Sequence, residues 1–293
     1  MRRMRNERRS ESFERLEKPV AAGALRGTGR IIEKFIEETG VRRMRLVAAV
    51  VLLTAASSAF AYTADELAAK NVAAKGGAEK LAALHSLRET GKLLVNGGTL
   101  QLGYVATVAR PDSVRVEVTL QGLTQVQAYD GTQGWKVNPF QGRKDPEKMS
   151  ADDTKALSDE AADLTGVLVD WKAKGYKLDY LGTEDVDGTD AYKLRVTRPN
   201  GDITYVFLDP DYFLEIRTIT RRILHGVPRE TVTDYGDYEQ VNGVYFALSQ
   251  ASGRNGSSER AAKVQFDKAE VNAPIDGALF RFPATQPATA ASK

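Results

Sequence analysis

The sequence contains no cysteine. That excludes disulfides, cysteine-based metal sites, thiol nucleophiles and the acylated cysteine of a membrane-anchored lipoprotein. Histidine is almost as scarce. His85 stands at a helix end beside Ser86, and His225 lies in a Gly/Pro loop, His225-Gly226-Val227-Pro228. No HxxxH or HExxH spacing joins them, and neither a GxSxG nor a P-loop spacing occurs. No catalytic residue, metal ligand or cofactor is therefore expected, and the chain does not read as an enzyme. Concentrated positive charge is also missing from most of the chain. Of the 41 Lys+Arg and 39 Asp+Glu, 13 and 7 fall in residues 1–61, so the remainder carries net −4. Nucleic acid is not an expected partner, because phosphate binding needs a clustered cationic surface. Asp185-Val186-Asp187-Gly188-Thr189-Asp190 has the acidic density of a calcium loop but lacks the downstream Glu at EF-hand spacing. It reads as a hairpin turn.

The N-terminal region has a different character. Arg42-Arg43-Met44-Arg45 precedes an apolar run from Leu46 to Ala56, then Ser57-Ser58-Ala59-Phe60-Ala61. A basic segment, a short apolar segment and a small-residue A-x-A site make a secretory signal peptide over 41–61. The apolar run is too short for a membrane span, which needs about 20 residues. Mature protein would then begin at Tyr62 and be exported, most simply to a Gram-negative periplasm. Residues 1–40 are polar and Arg-rich. They read either as an untranslated extension, with initiation at Met44 or Val41, or as a cytoplasmic tail on an uncleaved anchor.

Beyond Tyr62, Thr63 and Glu66 have the spacing of a capping box opening a helix, which Gly76-Gly77 stops. A short helix over Ala78–Leu84 follows. From Leu87 the period becomes two. Leu93 and Val95, then Leu100, Leu102, Tyr104, Ala106 and Val108, alternate across Gly97-Gly98. Val114, Val116, Val118 and Leu120 make one apolar face opposite Arg115, Glu117 and Thr119. Asp130-Gly131 is a hairpin turn leading to a strand with Trp135 and Val137 on one side, ended by Asn138-Pro139. Ser150 to Gly175 breaks the pattern with a helical insertion, where Leu157, Leu164, Val167, Leu168 and Trp171 fall near helical spacing and Gly166 can divide it. Strands resume with Leu178 and Tyr180, with Tyr192, Leu194 and Val196, and with Ile203, Tyr205 and Phe207 after the Asn200-Gly201 turn. They continue to Val264 and Phe266.

Ten or eleven long strands with so little helix predict a mainly β (α+β) fold. Its form is a large curled antiparallel sheet, an incomplete β-barrel with covering helices. Residues 62–284 read as one domain, and 285–293 as a low-complexity, disordered tail.

Three local patterns carry a resemblance. Asp130–Phe140, DGTQGWKVNPF, has the DGxxxWxxNPF spacing of LolA-type proteins. Arg110-Pro111 lies some twenty residues earlier, as in that family, and Leu279-Phe280-Arg281-Phe282-Pro283 is similar to its closing aromatic pattern. Residues 62–284 thus resemble the LolA/LolB-like superfamily. The Gly76-Gly77 break and the greater length point to a divergent outer membrane lipoprotein-sorting branch. The resemblance implies a monomeric periplasmic carrier that holds acyl chains of lipoproteins, or another lipid, in an apolar groove. Its partners would be an inner-membrane transporter and an outer-membrane acceptor. An RseB-like periplasmic lipid sensor, bound to a membrane protein, is the alternative. Arg110 corresponds by resemblance to an arginine that bonds the lid helices and gates them. The groove would be lined by Leu102, Tyr104, Val114, Val116, Val118, Trp135, Leu194, Val196, Tyr205 and Phe207, with Leu164, Leu168 and Trp171 entering from the insertion. That insertion is either a lid that fills the empty groove or simply the second layer of the core.

Overall fold

The computed structural model describes residues 62–257 and 260–283. The signal peptide, the extension before it and the C-terminal tail read from sequence lie outside the described residues.

Thirteen strands form one antiparallel sheet. They are β1 (Ser86–Val95), β2 (Leu100–Ala109), β3 (Ser113–Leu120), β4 (Leu123–Tyr129), β5 (Gly134–Asn138), β6 (Arg143–Lys148), β7 (Lys177–Val186), β8 (Thr189–Thr197), β9 (Ile203–Leu208), β10 (Glu215–Leu224), β11 (Val227–Val241), β12 (Val244–Arg254) and β13 (Ala262–Val271). Their spatial order is β6-β5-β4-β3-β2-β1-β13-β12-β11-β10-β9-β8-β7. The first and last strands pair in the middle, and the free edges are β6 and β7. The sheet is not closed into a barrel, as the sequence pattern leads one to expect.

Tight turns set most of the registers. Asp187-Gly188 joins β7 to β8 as expected, with both residues at positive φ and the Asp185 carboxylate accepting the Gly188 N–H at 3.2 Å. His225-Gly226 does the same between β10 and β11, so the loop read there shrinks to two residues. β6 is an addition to the sequence reading. Its sequence, RKDPEK, is charged and holds a proline, which suits an edge strand that must not recruit another chain.

The helices are α1 (Ala64–Ala74), α2 (Ala78–Ala82) and α3 (Ala151–Ala162). The capping box opens α1: the Thr63 N–H donates to Glu66 Oε2 at 2.8 Å and the Thr63 hydroxyl accepts the Glu66 N–H. Gly76 then permits a close approach. It has φ 127°, and a Cβ there would meet the carbonyl oxygen of Gly243 at 2.3 Å. The α1–α2 corner therefore sits directly on the β11–β12 turn, where the Tyr245 N–H donates to the Lys75 carbonyl at 2.9 Å. Ser150 caps α3 by accepting the Asp153 N–H at 3.1 Å. The expected helical insertion ends at Ala162. Residues 163–175 form successive turns, in which Gly166 has φ 104°.

Two apolar clusters unite helices and sheet. Leu81 of α2 and Leu84 just beyond it pack with Val169 on Leu87 of β1, Phe246 and Leu248 of β12 and Phe266 of β13. Leu157 and Ala161 of α3 pack on Val108, Val114 and Tyr129. Leu164 joins both. Among the described residues, the three helices thus cover one face of the sheet, called here the inner face.

Candidate functional site

Strand alternation carries the inner face outward from those contacts. Tyr104 is in register with Val118, and Ala106 with Val116, so these share the side of Val108 and Val114. Leu102 follows two residues before Tyr104. On the far half, Tyr192 stacks on Phe213 at 5.9 Å, beneath Lys70 of α1. Leu194 and Val196 continue that side and are fully buried. Nine of the sequence-predicted groove residues thus fit one face or the segment covering it: Leu102, Tyr104, Val114, Val116, Val118, Leu194 and Val196, with Leu164 and the buried Leu168. Trp171 is half-buried, with the Lys172 ammonium 5.0 Å from its ring.

Three predicted groove residues lie on the opposite face. Trp135 is in register with Ala128, and Ala128 with Arg115, the side away from α3. Its indole is roofed by the C-terminal segment: Nε1 donates to the Phe280 carbonyl at 2.7 Å, and the Phe282 ring lies edge-on at 6.3 Å. Arg115 crosses the indole and donates to the Leu279 carbonyl at 3.0 Å. Tyr205 and Phe207 oppose Arg195 and Lys193 rather than Leu194. Phe207 packs instead with Val186 and Ala191, and Lys193 covers both rings at 5.1 and 5.3 Å.

Helix α3 crosses the inner face between the two edges and is held by two different seams. On the β2–β4 side the contacts are the apolar ones of Leu157 and Ala161. On the β8–β11 side they are polar. Asp152 accepts the His225 N–H at 2.7 Å, and Ser150 Oγ lies 3.3 Å from His225 Nε2. Lys155 pairs with Asp202 at 2.9 Å. Arg198 is buried and pairs with Asp163 and with Asp159 at 3.7 Å. Lys174 also reaches Asp163, at 2.8 Å, and Arg198 donates to the Tyr176 hydroxyl. Burial raises the Asp159 carboxyl above its ordinary range, with Arg198 pulling the other way.

Behind α3 lies a polar spot that the sequence reading missed. Glu89 of β1 is in register with Ala106 and Ala269, which puts it on the inner face. Glu160 of α3 lies close enough to act on it. Burial pushes Glu89 up to about 7, with Glu160 adding to the effect. Burial raises Glu160 as well, against the pull of Arg222. Tyr104, its ring edge-on to Phe266 at 5.8 Å, is raised by burial and by both carboxylates. Tyr235, bonded to Thr218 at 3.2 Å, is pushed by burial to about 12. An isolated Glu in a run of alternating residues gives no local signal of such a role.

Arg110 does not touch α3. Its Nε donates to the Leu84 carbonyl at 2.6 Å and Nη2 to the Leu81 carbonyl at 3.3 Å. It therefore holds the C-terminal end of α2, where carbonyls lack helical partners.

Two solved structures share this fold. A LolA superfamily protein from Nitrosomonas europaea matches with a TM-score of 0.51 at 13% identity, over 75% of this chain and 98% of that one. An outer membrane lipoprotein-sorting protein domain from Vibrio parahaemolyticus matches with a TM-score of 0.50 at 11% identity, over 74% and 98%. The chain has the LolA fold. No protein-family model and no curated protein sequence matches it. Within the LolA fold, the helices described above cover the inner face of the sheet, and Arg110 joins α2 to the end of β2. Among the described residues, no helix is long and apolar enough to cross a membrane.

Proposed function

We propose that this protein is a non-enzymatic periplasmic carrier that shelters acyl chains, of lipoproteins or another lipid, between the inner sheet face and α3. The observation that carries this reading is the chemical asymmetry of the two α3 seams. Acyl chains can replace an apolar seam, whereas they cannot replace ion pairs. Each buried CH₂ contributes about 0.8 kcal/mol, so three or four methylenes match one buried leucine such as Leu157. Cargo would enter on the β2–β4 side, lined by Leu102, Tyr104, Val114, Val116 and Val118, while the Arg198 cluster keeps α3 attached. Leu164 and Leu168 would be displaced or become walls. Arg110 would gate the process by fixing α2 and the residues just after it, where Leu81 and Leu84 pack with Leu164 and Val169. Residues 62–284 would act as one carrier domain, released from a signal peptide over 41–61.

Native mass spectrometry of the protein isolated from its own periplasm, followed by lipid extraction, tests the reading. A bound lipopeptide or lipid is the expected result. A clean apo mass with no uptake of added lipid would overturn it.

A further inference from the structure

At the rim of the sheet, between the β8–β9 and β10–β11 hairpins and the outer side of α3, lies a pocket of about 330 Å³. Four cations reach it: Lys155, Arg221, Arg222 and Arg229. Its two acids are already matched, Asp202 by Lys155 at 2.9 Å and Glu230 by Arg221. Arg222 and Arg229 are left over. They stand directly opposite each other in the β10–β11 register, a placement that costs stability when the charges are alike. Among the described residues, neither guanidinium has a hydrogen-bond or ion-pair partner within bonding distance. Arg222 feels Glu160 and Asp159 of α3 only from beyond bonding distance. Ile223 and Pro228 give the pocket an apolar wall.

We infer that this pocket binds the phosphate of an acyl lipid, with Arg222 and Arg229 as a cationic fork and the chains running between the inner sheet face and α3. Two adjacent guanidiniums suit the charge and fork geometry of a phosphate. The inference rests on the carrier reading and narrows it, because the acylated end of a lipoprotein carries no phosphate. Free inorganic phosphate shares the same chemistry, and the experiment separates the two.

The test uses the full chain, with phosphatidylglycerol, diacylglycerol of the same acyl chains, and inorganic phosphate as probes. Displacement of a fluorescent fatty acid is the readout. The expected result is phosphatidylglycerol held about tenfold tighter than diacylglycerol, the order of one charge-assisted hydrogen bond. That preference should fall to near one in Arg222→Gln/Arg229→Gln and vanish at high salt. Arg229→Gln alone, on an exposed hairpin, should lose part of it and guards against a misfolded double variant. Equal affinity for the two lipids in the unaltered protein overturns the phosphate site and leaves the carrier reading standing. Failure of both lipids to bind overturns both. Arginine-dependent binding of inorganic phosphate without any lipid preference overturns the lipid assignment in favour of a free-anion site.

Discussion

The Trp135 indole N–H donates to the carbonyl of Phe280 at 2.7 Å, across 145 positions of sequence. This bond ties the closing segment of the chain to the outer face of β5. Trp135→Phe keeps most of the apolar burial and removes the donor, leaving a buried carbonyl unsatisfied. The expected loss is about 1–2 kcal/mol in urea denaturation. Lipid uptake should be unaltered, because the indole faces away from α3. A loss of uptake at unchanged stability would return Trp135 to the groove.

Arg198 is the hub of the polar seam. Arg198→Ala leaves Asp159 buried without its cation and Asp163 with Lys174 alone, which costs about 3–5 kcal/mol where a buried pair is broken from one side. Hydrogen exchange should localise the damage to residues 151–176 before the sheet is affected. Uniform loss of protection across β1–β4 would show that α3 is an integral core layer rather than a separable cover.

Arg110→Leu removes two bonds to carbonyls at the end of α2. Stability should fall by about 1–3 kcal/mol, and release of a preloaded fluorescent fatty acid should change in rate. An unchanged release rate would assign Arg110 a purely structural part.

Glu89 gives a pH signature. Its carboxyl sits near 7 in the folded protein against an ordinary 4.5, so the folded state holds this proton more tightly than the unfolded chain. Stability from this group is therefore intact below about 4.5, declines as pH rises, and is lost above 7. Glu89→Gln should flatten that decline by on the order of 2 kcal/mol between pH 4.5 and 7.5, read from denaturation midpoints. Equal slopes in the two proteins would mean that Glu89 is not enclosed.

Much of the fold was legible because turns and alternation are local. The Thr63–Glu66 capping box, the Asp187-Gly188 turn and the β1–β3 meander all follow from neighbours in sequence. The curled sheet followed from their sum. Which face points inward did not. In β9, ITYVFL is apolar on both sides, so alternation separates Val206 from Phe207 without saying which one the helices cover. Trp135 misled for a related reason: its cover comes from Phe280 and Phe282, beyond any local pattern. β6 escaped because charge and proline, the features that protect an edge, look like a loop. The α3 latch was invisible, since Arg198 meets Asp163, and His225 meets Asp152, only once the sheet has curled.

The free edges β6 and β7 are consecutive in the chain, and α3 lies in the span between them. Any spreading of the sheet must be supplied with contour length by that one connection. A helix stores chain at about 1.5 Å per residue, whereas extended chain spans about 3.3 Å. Unravelling the 12 residues of α3 would release on the order of 20 Å of slack. The connection thus acts as a coiled tether, and its length limits how far the two edges can part.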